Sequence, residues 1–250
     1  MGQTAEVLAK KFAISRTQMD EFAVQSHLRL ASAQTEGRLT EICPLVDGKG
    51  VVYDHDDGVR GDSAVAKLAK LKPVFDRDFG HVTAGNSAQI TDGASWLILA
   101  SEQAVKDHDL EPIGRIVDTE WAGLDPRQMG LGPVHASAPL LKRNGLGIAD
   151  IEYWEINEAF AAQVLACLAA FKDKKYCREE LEQDGALGEI NPEVLNVDGG
   201  AVALGHPLGT SGARIVLHLF NVLAERNAKR GIASICIGGG QGGAMLLERA

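Results

Sequence analysis

Residues 151–171 read IEYWEINEAFAAQVLACLAAF. The first seven, IEYWEIN, are rich in β-branched and aromatic side chains and form a short buried strand. The next fourteen change period: Phe160, Val164, Leu168 and Phe171 fall on one helical stripe. A strand that runs directly into an apolar helix is the unit from which layered α/β folds are built. Asn157 stands at the junction, where an amide is commonly an N-cap for the following helix. In α/β sheets that same place, the carboxyl end of a strand, is also where reactive side chains collect.

Working outward, the alternation continues. IGRIV (113–117) and IASICI (232–237) read as strands, and VLNVDGG (194–200) as a resumption of strand structure. SGARIVLHLFNVLAERNAKRG (211–231) reads as a helix closed by Gly231. WLILA (96–100) reads as a short buried strand with a helix opening at Ser101. These alternations imply an α/β layered fold with a covered, mixed or largely parallel sheet. The chain begins differently. Ser15 and Gln18 make a capping box, Met19, Phe22, Ala23, Ser26, Leu30 and Ala33 keep helical period, and Gly37 stands where a helix ends. Residues 43–78 are rich in Gly, Asp and Lys, with VVYD as the clear strand, and read as a lid or excursion. The charged stretch 172–192 reads as a solvated insertion.

Composition sets outer limits. The 250 residues, 45% of them hydrophobic, are enough for one or two cores. A formal net charge of −9 argues against nucleic acid or an anionic membrane as the main partner. It leaves room for a polyanionic small ligand held by a few cations. Cys43, Cys167, Cys177 and Cys236 form no C-x-x-C pattern, so a disulfide framework or zinc site is not expected, and a reducing, cytoplasmic setting is. The start of the chain has no basic-then-apolar signal, and no apolar run approaches the ~18 residues of a membrane span.

Three loops at strand ends could carry chemistry: NEAF (157–160), GHP (205–207) and CIGGGQGG (236–243). Singly, each has an ordinary reading. His206 can be a loop histidine facing water, and Cys236 a core thiol. The G-x-G-x-x-G of 238–243 lacks the helix that a dinucleotide fingerprint needs, and AMLLE after it alternates like a strand, so a glycine-rich hairpin is the better account. Together they read differently. An amide, an imidazole and a thiol, two of them beside glycines that bare the backbone N–H groups, can converge on an acyl group and its oxyanion. No metal centre is expected at His206, which has no second ligand at ligand spacing.

NEAFAAQ, NVDGGAVALGHPLGTSGARI and CIGGGQGGAM closely resemble, in order and spacing, the C-terminal motifs of thiolases, the acetyl-CoA C-acyltransferases. MGQTAE, KLAKLKPVF, TAGN…DGA and MGLGPV resemble thiolase segments too, so the likeness runs along the whole chain. The resemblance implies a thiolase fold, layered αβαβα with mixed sheets, of which the first part of the N-terminal domain is missing. Only the C-terminal two-thirds of the family is then expected. Its parts would be a lid or loop domain at 1–82 that binds coenzyme A, the last elements of the N-terminal domain at 83–111, and the C-terminal domain at 112–250.

By position, His206 resembles the histidine that activates the acyl-accepting cysteine and, with Asn157 through a water, forms one oxyanion site. Cys236 resembles the acid/base at the substrate α-carbon, and the N–H of Gly238 a donor of the second oxyanion site. Arg60, Ala84, Ser87 and Ala88 fall where the family contacts coenzyme A. Met129, Ala159 and Phe160 match positions lining the acyl pocket. No cofactor is implied, since coenzyme A is substrate and product. A homo-oligomer, or a complex with an N-terminal thiolase half, is implied as the assembly.

Two departures stand out. Ala88 occupies a place where many relatives have a serine, with Ser87 one position earlier. The family's acyl-accepting cysteine belongs to a segment that precedes the one matched here, and none of the four cysteines is a convincing substitute. A non-catalytic acyl-CoA-binding or assembly subunit is therefore a rival reading, as is a ketoacyl-synthase relative of the same fold. Asn157, His206 and Cys236 together argue for α-carbon proton transfer instead.

Overall fold

The computed structural model describes residues 1–250. In chain order the elements are α1 (Gly2–Lys11), α2 (Arg16–Thr35), β1 (Leu45–Val46), β2 (Val52–Tyr53), α3 (Val65–Leu68), α4 (Glu102–Asp107) and β3 (Gly114–Gly123). Then come α5 (Gly132–Arg143), β4 (Tyr153–Ile156), α6 (Ala161–Lys172), α7 (Lys174–Glu180), α8 (Ala201–Leu204), α9 (Leu208–Glu225), β5 (Arg230–Ile237) and β6 (Gln241–Arg249). Two compact units divide them. One holds residues 1–92, 158–166 and 196–206; the other holds 93–157, 167–195 and 207–250.

In the first unit, α2 is the longest element. Its N-terminus is fixed by the expected capping box: Gln18 N–H donates to the Ser15 hydroxyl, and Ser15 N–H donates to the Gln18 side-chain Oε1. Met19, Ala23, Leu30 and Ala33 are buried along it, and so are Asp20, Ser26 and His27. Three polar side chains on the buried face need partners, and each has one in a loop of the same unit. The strand read at VVYD is a two-residue ladder, Leu45–Val46 antiparallel to Val52–Tyr53, with its side chains exposed.

The second unit is built on a mixed sheet in the order β3-β6-β5-β4. β6 is antiparallel to both β3 and β5, while β4 and β5 are parallel. β5 and β6 are joined by a hairpin at Gly238–Gly240, where Gly239 and Gly240 adopt positive φ of 88° and 90°. This is the glycine-rich turn that the sequence implied in place of a dinucleotide loop. Helix α9 buries Ile215, Leu219, Phe220 and Leu223 against Ala233 of β5 and Leu247 of β6. Each such side chain contributes on the order of 1.5–3 kcal/mol when fully buried. Trp154 of β4 meets Phe171 of α6 edge to face, with ring centroids 5.8 Å apart. The strand-then-helix reading of 151–171 therefore holds, with β4 at 153–156 and α6 from Ala161.

Four local expectations are corrected. WLILA is not a buried strand: residues 96–100 are irregular, and Trp96 and Ile98 are 86% and 96% exposed. No segment of the 250 residues supplies a ladder partner there, and a strand without one has unpaired amides. The 172–192 insertion is not wholly solvated, because Asp173 caps α7 and that helix buries Tyr176 and Cys177. VLNVDGG forms no strand, only an isolated bridge between Leu195 and Trp154. Finally, α9 ends at Glu225, with Asn227 at positive φ, and Gly231 lies inside β5. No helix is long and apolar enough to cross a membrane.

Candidate active site

The candidate residues divide between the two units. In the first, α2 supports three loops by buried hydrogen bonds. Asp20, itself paired to Arg16 at 2.8 Å, accepts from Asn86 Nδ2 at 2.9 Å. Asn86 closes the short turn 84–86, whose Thr83 cap bonds Gly85 N–H. That turn carries Ala84 and leads into Ser87 and Ala88. Ser87 bridges Phe160 in antiparallel register, and Ala88 N–H donates to Ala159 O at 3.0 Å. Four of the sequence-derived positions, 87, 88, 159 and 160, are thus brought side by side. The Ser87 hydroxyl donates to Thr83 O at 2.7 Å, so its proton is committed within the turn. Phe160 packs edge-on against Phe75, with centroids 6.1 Å apart.

Arg60 is held from α2 as well: its N–H donates to His27 Nδ1 at 3.2 Å. Burial first, and the Arg60 charge second, hold the His27 imidazole below its ordinary value, with Asp62 opposing. The neutral ring is therefore the resident form, which leaves Nδ1 free to accept. His206 is half-buried directly after α8, and its N–H donates to Gln89 O at 3.0 Å. The Gln89 side-chain amide donates to Gly58 O at 2.9 Å and Ala203 O at 3.2 Å. One residue thus ties the Arg60 loop to the His206 loop.

In the second unit, Asn157 extends the β4–β5 pairing: its N–H donates to Ser234 O at 3.0 Å. Ser234 lies two residues before Cys236, so the two share a face of β5. Cys236 is 5% exposed, and burial pushes its thiol up to about 12. Near neutral pH it is a protonated thiol, not a thiolate. Gly238 is exposed in the hairpin, and Met129 is buried in the 126–131 turn.

Sequence reasoning missed the residues that hold these loops: Asp20, His27, Gln89, Glu158 and Asn196. The signal available for two of them was Asp20 and His27 at helical spacing beside the apolar positions 19, 23 and 30. A polar side chain on a buried stripe requires a partner. Gln89, in an irregular segment, left no such trace.

Comparison with known proteins agrees along the whole length. The thiolase C-terminal domain model matches residues 110–249, and the thiolase N-terminal domain model matches 1–103. The chain belongs to the thiolase family, and parts of both family domains are represented, where the resemblance alone implied only the C-terminal two-thirds. It is 44% identical to 3-ketoacyl-CoA thiolase of Vibrio vulnificus (strain YJ016), covering 100% of this chain and 62% of that one. Against its counterpart in Hahella chejuensis the identity is also 44%, with 61% of that protein covered. The fold is the thiolase fold. The structure of Bacillus anthracis acetyl-CoA acetyltransferase matches with a TM-score of 0.88 at 40% identity, covering all of this chain and 60% of that one. Human mitochondrial 3-ketoacyl-CoA thiolase in complex with CoA matches at 0.85 and 39%, covering all of this chain and 59% of that one. The chain spans about 62% of the length of the curated relatives it matches.

Proposed function

We propose that this chain carries the proton-transfer and coenzyme A-binding parts of a thiolase-type acyltransferase acting on 3-ketoacyl-CoA or acetyl-CoA. The observation that carries the reading is the presence of Asn157, His206 and Cys236 in family order, Asn157 just after β4, His206 in the loop after α8 and Cys236 near the end of β5. Arg60, Ala84, Ser87 and Ala88 would face coenzyme A; Met129, Ala159 and Phe160 would line the acyl pocket. Residues 1–82 would act as the lid domain, 83–111 as the end of the N-terminal domain, and 112–250 as the C-terminal domain.

The chemistry follows from the groups. In thiolysis a cysteine thiolate adds to the 3-keto carbon, with His206 taking the thiol proton as general base. The oxyanion so formed is met by donors such as the Gly238 N–H or an Asn157-held water. Carbon–carbon cleavage then releases the enolate of acetyl-CoA, whose α-carbon must gain a proton. A thiol raised to about 12 is fully protonated near neutral pH and is the right form to give it. Coenzyme A finally takes the acyl group from cysteine. Condensation runs the same steps backwards.

The acyl-accepting thiol is taken to lie outside these residues, so the working assembly would be an oligomer or a complex with an N-terminal thiolase half. Four free cysteines suit a cytoplasmic, reducing setting. The test is to co-express this chain with the N-terminal part of the Vibrio vulnificus relative and follow coenzyme A-dependent cleavage of acetoacetyl-CoA. Turnover that disappears with His206→Ala is expected. A completed complex that binds coenzyme A but never turns over would sink the reading.

A further inference from the structure

A carboxylate that the proposed chemistry does not use lies next to Asn157. Glu158 is 1% exposed, yet it is the meeting point of three hydrogen bonds from distant parts of the chain. Its Oε2 accepts from the Ser26 hydroxyl at 2.6 Å and from Val202 N–H at 3.2 Å, and its Oε1 accepts from Asn196 Nδ2 at 2.8 Å. The Ser26 hydroxyl in turn accepts from Gly200 N–H at 3.1 Å. One buried carboxylate therefore grips the segment 196–202 at residues 196 and 202 directly, and at 200 through Ser26. A side chain at Gly200 would place its Cβ 2.5 Å from Glu158 Cδ, so the backbone lies directly against the carboxylate. That segment runs without interruption through α8 into His206, only four residues beyond Val202.

A buried carboxylate is retained at a cost unless its lone pairs are met. Here they are met by a side-chain amide and a main-chain N–H of the segment 196–202, and by a hydroxyl of α2. Only an acceptor at both oxygens satisfies this set of donors: a hydroxyl, an amide N–H and an NH₂ group all point inward. The downstream end of the same loop is held separately, by Gln89 at Ala203 and His206. We propose that Glu158 is a positioning residue: it sets the loop that carries His206 and so fixes where the imidazole stands. This rests on the reading of His206 as the working base.

The donor pattern supplies its own test. Glu158→Gln replaces one acceptor by a donor, which opposes the Asn196 NH₂. Adding Asn196→Asp reverses that pair, so the double variant again has one donor for each acceptor. Asn196 sits at φ 44°, a conformation that Asp tolerates as Asn does. Amide exchange from residue 200 to 206, and the NMR titration of the His206 ring, are read in the single variant, the double variant and Ser26→Ala.

In Glu158→Gln, exchange in that segment is expected to quicken about tenfold or more, with a displaced His206 titration. The double variant should return both toward wild type. Ser26→Ala, which cuts only the relay to Gly200, should give a smaller change of the same kind. A lowered melting temperature with the His206 titration unmoved would overturn the proposal. So would a double variant no better than the single, including one in which neither folds. None of these readouts involves coenzyme A. A clamp confirmed here alongside an inactive completed enzyme would refute the functional reading and leave the clamp standing.

Discussion

Gln89 holds His206 by its main chain: the carbonyl oxygen of one accepts the N–H of the other at 3.0 Å. The same residue's side-chain amide reaches Gly58 O and Ala203 O, so a single glutamine fastens both loops. Gln89→Ala leaves two carbonyls without that donor, which is expected to destabilise the fold by about 1–3 kcal/mol. Gln89→Glu should be worse at neutral pH, where a carboxylate faces two carbonyl oxygens, and should recover partly in acid as it regains a proton to donate. Urea unfolding with exchange at 58–60 and 203–206 measures both. Loss at only one loop, or no recovery in acid, would mean that the bridge does not act as drawn.

His27 makes the stability pH-dependent. Its folded value lies below the ordinary 6.5 because the ring is buried and stands near Arg60. As pH falls below 6.5 the unfolded chain takes up a proton that the folded chain still refuses. Stability therefore falls with acidification, by at most about 1.4 kcal/mol per pH unit for this one group, until the folded value is passed. His27→Gln keeps an acceptor for Arg60 N–H without titrating, and should flatten that part of the curve. Unfolding midpoints between about pH 7 and 5 in both proteins decide it; parallel curves would count against His27 as the source.

Much of the mixed sheet and of the strand–helix junction after β4 was legible because local signals and tertiary structure agree there. The junction at 156–161, the apolar β5 and the glycine hairpin before β6 each satisfy propensity, period and burial together. Residues 96–100 misled because an apolar run reads as a strand whether or not a neighbour exists to pair with it. The candidate residues Asn157, His206 and Cys236 were visible as residue types at the ends of strand patterns, two of them beside glycines. Their support was not. Glu158 bonds Ser26, 132 positions away, and no period in the sequence reports a contact at that range.

The cysteines should separate sharply by reactivity. Cys43 is exposed, whereas Cys167, Cys177 and Cys236 are buried. With its thiol at about 12, Cys236 is thiolate to roughly one part in ten thousand at pH 8. Iodoacetamide under native conditions is expected to label Cys43 first, and the other three only after denaturant is added. Peptide mass spectrometry reads the order. Rapid native labelling of Cys236 would show that its thiol is more accessible and more acidic than its burial implies.

The last expectation concerns the division of labour between His206 and Cys236, tested on the chain completed by an N-terminal thiolase half. If His206 serves the acyl-accepting thiol, His206→Ala should suppress the acyl-enzyme itself, seen as lost label from radioactive acetyl-CoA. If Cys236 moves the α-proton, Cys236→Ala should still accumulate acyl-enzyme while failing to condense it or to exchange the α-hydrogen with deuterium. General acid–base groups contribute typically about 10²–10⁴-fold, so both defects should be large and readily told apart. Cys236→Ser gives a finer reading. Because condensation retraces the steps of thiolysis, a hydroxyl far less acidic than a thiol should slow both directions together at the α-proton step while leaving acylation intact. Equal loss of acylation in His206→Ala and Cys236→Ala would show that the roles are wrongly assigned, and would make Cys236 itself the candidate acyl acceptor.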